Sequence, residues 1–543
     1  MKKILFFILL SSFCFGQNWS ISFAERSSLI NLFNSTNGEN WSTTWDLNKD
    51  PKYWYGIKIK KGSVTEINLR GNALKGNFPV SVSSLTKLEK LDLSSNQLTG
   101  EVSTAVSGLS TLVRLDLSNN RFTGDPTAAI LPLSQLQEIS IGNNEFVFGD
   151  IETFLQNFPN VQVLDLAHIG LNAVPQKVST LTKLESLNLS NNLISQKFNY
   201  LSTLSTLKEL NLSGNQLTKI PTELSTLNQL NILDLSNNTI SPSFTAPLAQ
   251  LKNLEWLSFA GNQMLNFPPQ LSQLTQLIHL NFSDNQISGG FENLGGLQNL
   301  EQIYLDKNLI SGAFPSSLLQ LKKLQMLSLN GNQLSGEIPE TIPALTFLEN
   351  NRFTKQDIKT FLLKNKSLAD FTYSPQRYDE PKTVFASMGS AATLSQSLSG
   401  NDYQYTWFKN LGQKTNLTSE KYYISNVEQE DFTHYTCEAY YFEVLPKELM
   451  EISFFREPVT LEDDLGTHEV KTDLMVYPNP AKDFINIKTA KLDIEKIFIF
   501  DLSGKLIMTE KSKKININHL PSATYIISIK TSTRLKSFKF IKL

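Results

Sequence analysis

The sequence predicts a multidomain chain: a curved solenoid of parallel strands backed by short helical and irregular segments, followed by two all-β sandwich modules. Three observations predict it. An asparagine recurs every 23 to 25 residues in the frame LxxLxLxxNxL, at Asn72, Asn96, Asn120, Asn144, Asn192, Asn215, Asn238, Asn262, Asn285, Asn308 and Asn332. A fixed period of this length marks stacked repeats, which build binding surfaces more often than catalytic clefts. Near Lys355 the period stops, and an aromatic-rich stretch with strand alternation follows to about residue 462. Residues 471–543 then show short alternating apolar runs separated by turn residues.

The N-terminus reads as a secretory signal over residues 1–16. Lys2 and Lys3 precede the apolar run Ile4–Leu10, and small Cys14 and Gly16 stand before Gln17. The run is too short to span a bilayer, and no other stretch is long and apolar enough, so no transmembrane segment is expected after signal removal. Phe13 argues against acylation of Cys14. Cys437 then has no second cysteine to pair with, and stability is expected to rest on core burial rather than on disulfides. Residues 471–543 hold 14 Lys and Arg against 6 Asp and Glu, a net +8 that leaves −10 for the rest of the chain. The lysines are scattered along alternating strands, so nucleic acid is not the expected partner.

Within each repeat, the positions five and three before the asparagine and two after it are filled by Leu, Ile, Phe or, once, Met264. The first two form a short strand with one buried face, and the third turns back into the same core. The asparagine lies where the chain leaves the strand. There an inward amide can donate to and accept from turn backbone that has no ladder partner. Ile169 occupies the position where one asparagine is due, so the ladder is expected to break there. These residues resemble the leucine-rich repeat family over 63–355, with about twelve full repeats and a degenerate thirteenth at Thr346–Phe353. The motifs Ile310–Leu318 and Leu334–Ile342 resemble the plant-type subclass, which adds a second short strand. Residues 17–62 resemble the N-terminal cap of secreted members, with an amphipathic helix over Phe23–Phe33 followed by Trp41, Trp45, Trp54 and Tyr55.

Side chains alternating with the buried leucines face outward. The column four before the asparagine is polar (Asp92, Asp116, Asp165, Asn188, Asn211, Asp234), and the column two before it is rich in serine. The column six before it changes character along the array. It is mainly charged at first and later holds Ile232, Trp256, His279 and Met326, with Tyr304 nearby. An aromatic and aliphatic cluster on a polar sheet marks a contact site, so these five residues are the candidate binding patch. The pair Asp92 and Asp116 has a spacing that suits a retaining glycosidase or a cation. No nucleophile, metal-ligand or phosphate-loop motif accompanies it, so neither an enzyme nor a cofactor or metal site is expected.

In the segment 367–462, Trp407 is followed by Asp431, Tyr435 and Cys437, which resembles an immunoglobulin-like sandwich. Thr433 replaces the usual glycine, and Leu394 stands where a first cysteine is expected. Residues 476–543 resemble the C-terminal sorting domain of type IX secretion cargo, through Pro478, Asn479, Pro480, Asp501, Gly504, Leu520, Pro521, Tyr525, Lys539 and Lys542. Ala523 departs from the family's glycine. The resemblance implies a Bacteroidetes-type host, Sec export, passage through the type IX machinery, and release or attachment at the cell surface. The expected function is a secreted or surface protein that binds another macromolecule through the repeat face. The alternatives are a carbohydrate-binding accessory protein and a structural surface-layer component without a discrete ligand.

Overall fold

The computed structural model describes residues 19–241, 246–365, 370–410, 412–446, 448–464, 474–489, 494–501, 505–531 and 535–543. The expected signal and Gly504 lie outside them. The chain divides into two compact units. One comprises residues up to 379 with 399–405 and 438–456; the other comprises 380–398, 406–437 and 457–543. The segment 367–462, expected to form a single module, is therefore shared between the two.

The first unit opens with the helix Phe23–Ser35. Ser22 and Glu25 form a reciprocal capping box at its start, and Glu25 Oε1 also accepts from Val64 N at 3.1 Å, tying the helix to the first repeat. Leu29, Leu32 and Phe33 are buried. Phe23, expected on the apolar face, is instead exposed at the helix start, one residue past the cap. Trp41, Trp45 and Trp54 are buried in one cluster, Trp41 edge-on to Trp45 at 4.9 Å between ring centroids and Trp45 stacked on Trp54 at 4.7 Å. Each indole N–H donates to a backbone carbonyl at 2.9 Å, of Thr36, Tyr55 and Asp46 respectively. These tryptophans are cap core; only Tyr55 of the expected aromatic group is exposed.

A fifteen-stranded sheet follows. Its first strand, Ile57–Lys60, pairs antiparallel with Ser63–Asn68, and every later pairing is parallel. The strands after these two are three residues long and stack in repeat register, with Leu91 beside Leu115 and Ile232 beside Trp256. The leucines of the three apolar columns are almost wholly buried. The opposite side carries single turns of 3-10 helix, several preceded by proline (Pro175, Pro221, Pro268, Pro315), whose fixed φ suits the turn entry. A second parallel sheet joins Lys75–Asn77, Gln97–Glu101, Arg121–Gly124 and Glu145–Phe146, and a two-stranded one joins Ser311–Gly312 to Gln333–Leu334. These extra strands occur where the repeats carry the longer plant-type motif, including both motifs singled out above.

The asparagines form a hydrogen-bonded ladder with one interruption. Asn120 Nδ2 donates to the carbonyls of Leu93, Leu117 and Ser118 at 2.9–3.2 Å, and its Oδ1 accepts from Leu98 N at 3.0 Å. Each amide thus stitches its own turn to the preceding repeat. Asn72 does the same with the cap, exchanging bonds with Thr43 N and O. At Ile169 the ladder breaks. Among the described residues no side chain accepts from Phe146 N, while Asn192 Oδ1 takes both Ile169 N and Leu171 N. A second column accompanies the ladder. The residue before each ladder position, Ile169 included, is left-handed, with φ of 50–56° at Ser95, Asn119, Asn143, His168, Asn191, Asn237, Asp284, Lys307 and Asn350. The same position is glycine at 71, 214, 261 and 331.

The sheet runs further than the sequence period. Asn351 continues the ladder, accepting from Leu334 N at 3.0 Å. The helix Lys355–Lys364 and the strand Asp370–Thr372 then build one more turn, paired parallel to Leu345–Phe347. Gln376 occupies the ladder position: its Oε1 accepts from Phe353 N at 3.0 Å, and its Nε2 donates to Leu348 O at 2.8 Å. Gln376–Tyr378 next pairs with Leu449–Arg456, itself antiparallel to residues 438–444.

In the second unit, Lys382–Ala386 pairs with Val459–Asp463, and Ala392–Leu394 pairs with Tyr422–Ile424. Trp407, Leu394 and Cys437 are fully buried. Tyr435 Oη donates to Asp431 O at 2.9 Å, the local contact of a tyrosine corner. The C-terminal region has a three-stranded antiparallel sheet (Leu474–Tyr477, Phe484–Thr489, Lys514–Asn516). A four-stranded one (Leu506–Glu510, Ile494–Asp501, Ala523–Thr531, Leu535–Lys542) completes it. Alternate isoleucines of both sheets and Phe540 form one core.

Candidate functional site

The parallel strands present their outward side chains at the repeat spacing, so residues of neighbouring strands meet side by side. In the later repeats this places Trp256, His279 and Tyr304 in one continuous stack. Trp256 and His279 are 5.1 Å apart at 11°, and His279 and Tyr304 are 5.1 Å apart at 41°. Tyr304 Oη donates to Met326 Sδ at 3.0 Å, and Ile232 is the strand neighbour of Trp256. All five residues of the candidate patch are part-buried and share one face. His279 Nδ1 lies 3.1 Å from Gln302 Oε1. Burial lowers the His279 pKa from its ordinary value, which favours the neutral imidazole in the stack.

Beside the stack lies a hollow of about 360 Å³ lined by residues of four successive strands, from Ser186 to Trp256. It contains Glu209, Asp234, Asn188 and Asn211 together with Ile232 and Trp256. A larger hollow, about 780 Å³, lies among the turns near Asp284, Lys307 and Arg377. Its charged groups have structural partners. Lys307 pairs with Asp284 at 3.2 Å, and Arg377 donates to the carbonyls of Asn350 and Asn332 at 2.9 and 2.8 Å. The smaller hollow is the one continuous with the aromatic stack.

The earlier repeats differ from the open polar surface expected of them. Asp92 and Asp116 are buried, and each Oδ1 accepts from the backbone N and the hydroxyl of the serine two residues on, Ser94 or Ser118. The same local bond recurs at Asn211–Ser213, Asp234–Ser236 and Asn281–Ser283. The two polar columns therefore close their own turns. Arg114 reaches Asp92, Asp116 and Glu138 at 3.5, 3.8 and 3.0 Å. The spacing noted for a glycosidase or a cation is thus spanned by a guanidinium. Burial, reinforced by Asp92, raises the Asp116 carboxyl above its ordinary value. Burial, with Asp116 nearby, pushes Asp165 up to about 6.

The C-terminal motif residues have structural partners. Asn479 behaves as a strand edge: its Nδ2 donates to Lys539 O at 3.0 Å, and its Oδ1 accepts from Ile541 N at 2.9 Å. Ala481, after Pro480, continues the pairing through Ile541 O and Leu543 N. Tyr525 Oη donates to Pro521 O at 3.0 Å, and its ring stacks on Phe540. Leu520 and Lys542 are buried, whereas Lys539 is exposed. Asp501 Oδ1 accepts from Lys505 N at 3.0 Å.

Residues 475–543 match the family described as secretion system C-terminal sorting domain. Leucine-rich repeat families match residues 159–217, 205–248, and 87–109, 111–133 and 323–345. Among solved structures the chain is similar to an internalin of Listeria monocytogenes, at 25% identity and TM-score 0.47, covering 58% of this chain and 91% of that one. It is also similar to a leucine-rich repeat protein of Leptospira interrogans, at 29% identity and TM-score 0.46, covering 56% and 83%. A third is the Arabidopsis HAESA receptor-kinase ectodomain in complex with a peptide hormone, at 23% identity and TM-score 0.46, covering 65% and 62%. The chain carries leucine-rich repeats, of a kind that generally binds protein, and ends in a type IX C-terminal sorting domain.

Proposed function

We propose that this is a cell-surface or secreted binding protein whose repeat face around Trp256 holds another protein. The observation that carries the reading is the stack Trp256–His279–Tyr304, flanked by Ile232 and Met326. A run of aromatic side chains on an otherwise polar sheet contributes nothing to the leucine core on the other side, and such rings dominate binding at protein contacts. The route to the surface is Sec export followed by type IX sorting. The segment with the tyrosine-corner contact is an immunoglobulin-like spacer, supported by buried Trp407 and the Tyr435–Asp431 bond.

Immobilised full-length protein tests this against its W256A/Y304A variant on host-cell surface and extracellular proteins, with a glycan array run in parallel. Saturable protein capture that falls at least tenfold in the variant is expected. Capture unchanged by the double substitution removes the face from the account. Glycan binding that follows the two aromatics instead favours the carbohydrate reading.

A further inference from the structure

We infer that the hollow beside Trp256 receives a basic side chain, lysine or arginine, from the protein ligand. The inference rests on the reading of this face as a protein-binding surface and names the group that anchors there.

The geometry has three parts. Trp256 is stacked on its own side by His279, and the hollow lies on the side of Ile232, toward the earlier strands. One indole face is thus committed within the protein while the other borders the opening. The hollow also holds two carboxylates, Glu209 and Asp234, and no lysine, arginine or histidine lines it. Neither acid has a cationic partner among the described residues. Ser186 Oγ donates to Glu209 Oε2 at 2.9 Å, and Ser236 occupies only Oδ1 of Asp234, through its N and its hydroxyl. In the earlier repeats, by contrast, the acids of the same face are bridged by Arg114. A ligand guanidinium or ammonium in the hollow would stand to Glu209 and Asp234 as Arg114 stands to its neighbours.

Ligand chemistry follows from that inventory. A cation over an indole face is attracted by the ring quadrupole, and a carboxylate within reach adds a charge-assisted hydrogen bond. The alkyl stem of lysine or arginine suits Ile232, since such side chains bury their stems and keep the charge near polar groups. The hydroxyls of a neutral sugar would donate to the two carboxylates but leave their charge uncompensated, and an anionic group would be repelled. The net charge of −10 carried by residues 1–470 draws basic partners at longer range.

The test uses the full-length protein with a tetra-arginine peptide and its tetra-citrulline counterpart, which has nearly the same shape without the charge. Binding is read by calorimetry at low and at high salt. The hollow variant is E209Q/D234N, isosteric at both positions and with Asn already native to the Asp234 column at Asn211 and Asn281. A control variant, E101Q/E145Q, removes the same number of charges from exposed positions on another part of the array. Saturable, salt-sensitive binding of the arginine peptide is expected, weakened at least tenfold in E209Q/D234N and in W256A and within twofold of the parent in the control. Equal binding of the citrulline peptide, or an equal loss in the control, overturns the inference. Partner capture separates the two readings. If W256A/Y304A loses the partner while E209Q/D234N keeps it in full, the face stands and the basic anchor falls. If neither variant changes capture, both fall.

Discussion

At the scale of single residues, the fold depends on polar side chains that serve the backbone. Each buried ladder asparagine answers several backbone groups, five at Asn192, and truncating one leaves donors and acceptors unpaired in the core, at about 1–3 kcal/mol per group. Asp165 shows the opposite balance. Its carboxyl accepts from Ala167 N at 3.0 Å but titrates near 6, because burial and Asp116 oppose its charge. An acid whose folded pKa is raised contributes stability that is fully present below its unfolded pKa and lost as pH rises through the folded value. The window here is about pH 4 to 6. Asp165→Asn keeps the accepting oxygen and removes the charge, as Asn188 already does in the next repeat. Thermal melts should show the variant more stable by on the order of 2 kcal/mol at pH 7.5 and no gain at pH 3.5. A gain independent of pH would contradict the electrostatic cause. The ladder was legible in the sequence because one residue type recurs in register. The left-handed column before it is not legible in the same way, although its glycines and asparagines recur. It mixes Gly, Asn, Ser, Asp, Lys and His, which share a backbone conformation and no side-chain chemistry.

At the scale of elements, strand register and core columns followed from the period, since a leucine every repeat specifies both. The end of the array did not. The last turn replaces asparagine with Gln376 and the usual leucines with Phe371 and Tyr373, so the sequence frame disappears while the hydrogen-bond pattern survives. Gln376→Ala would leave Phe353 N and Leu348 O without their side-chain partner inside a buried turn. Hydrogen exchange should show the Phe353 amide losing at least tenfold protection, with overall stability lower by about 2–4 kcal/mol. Unchanged protection at that amide would show that Gln376 is not a ladder residue. The inner polar columns differ from expectation for a related reason. Spacing tells which side chains face away from the leucines but not that Asp92 and Asp116 fold back onto their own serines.

At the scale of the whole molecule, the chain combines a repeat array, whose aromatic stack sits on one face of a sheet, with a terminal domain whose motif residues hold its own last strand. The Asn479 amide spans Lys539 O and Ile541 N, so the motif at 478–480 and the lysine-bearing C-terminal strand are parts of one surface. Deleting residues 471–543 should leave the protein in the periplasm of its host, as read by cell fractionation; export of the truncated chain would refute the sorting route. The fold class and the aromatic patch were both readable in the sequence, because the ladder sets a register and the register aligns Trp256, His279 and Tyr304. The hollow beside them was not, because it needs the depth of Ile232 and the acids around it. Oxidative footprinting of the partner-bound protein tests the central claim most directly, since Trp256, His279, Tyr304 and Met326 are all oxidisable. Binding should protect these four together, while Tyr53 and Tyr423, 70% and 60% exposed elsewhere, stay as reactive as in the free protein. If the four remain fully reactive in the complex, the partner binds somewhere else and the account of this face is wrong.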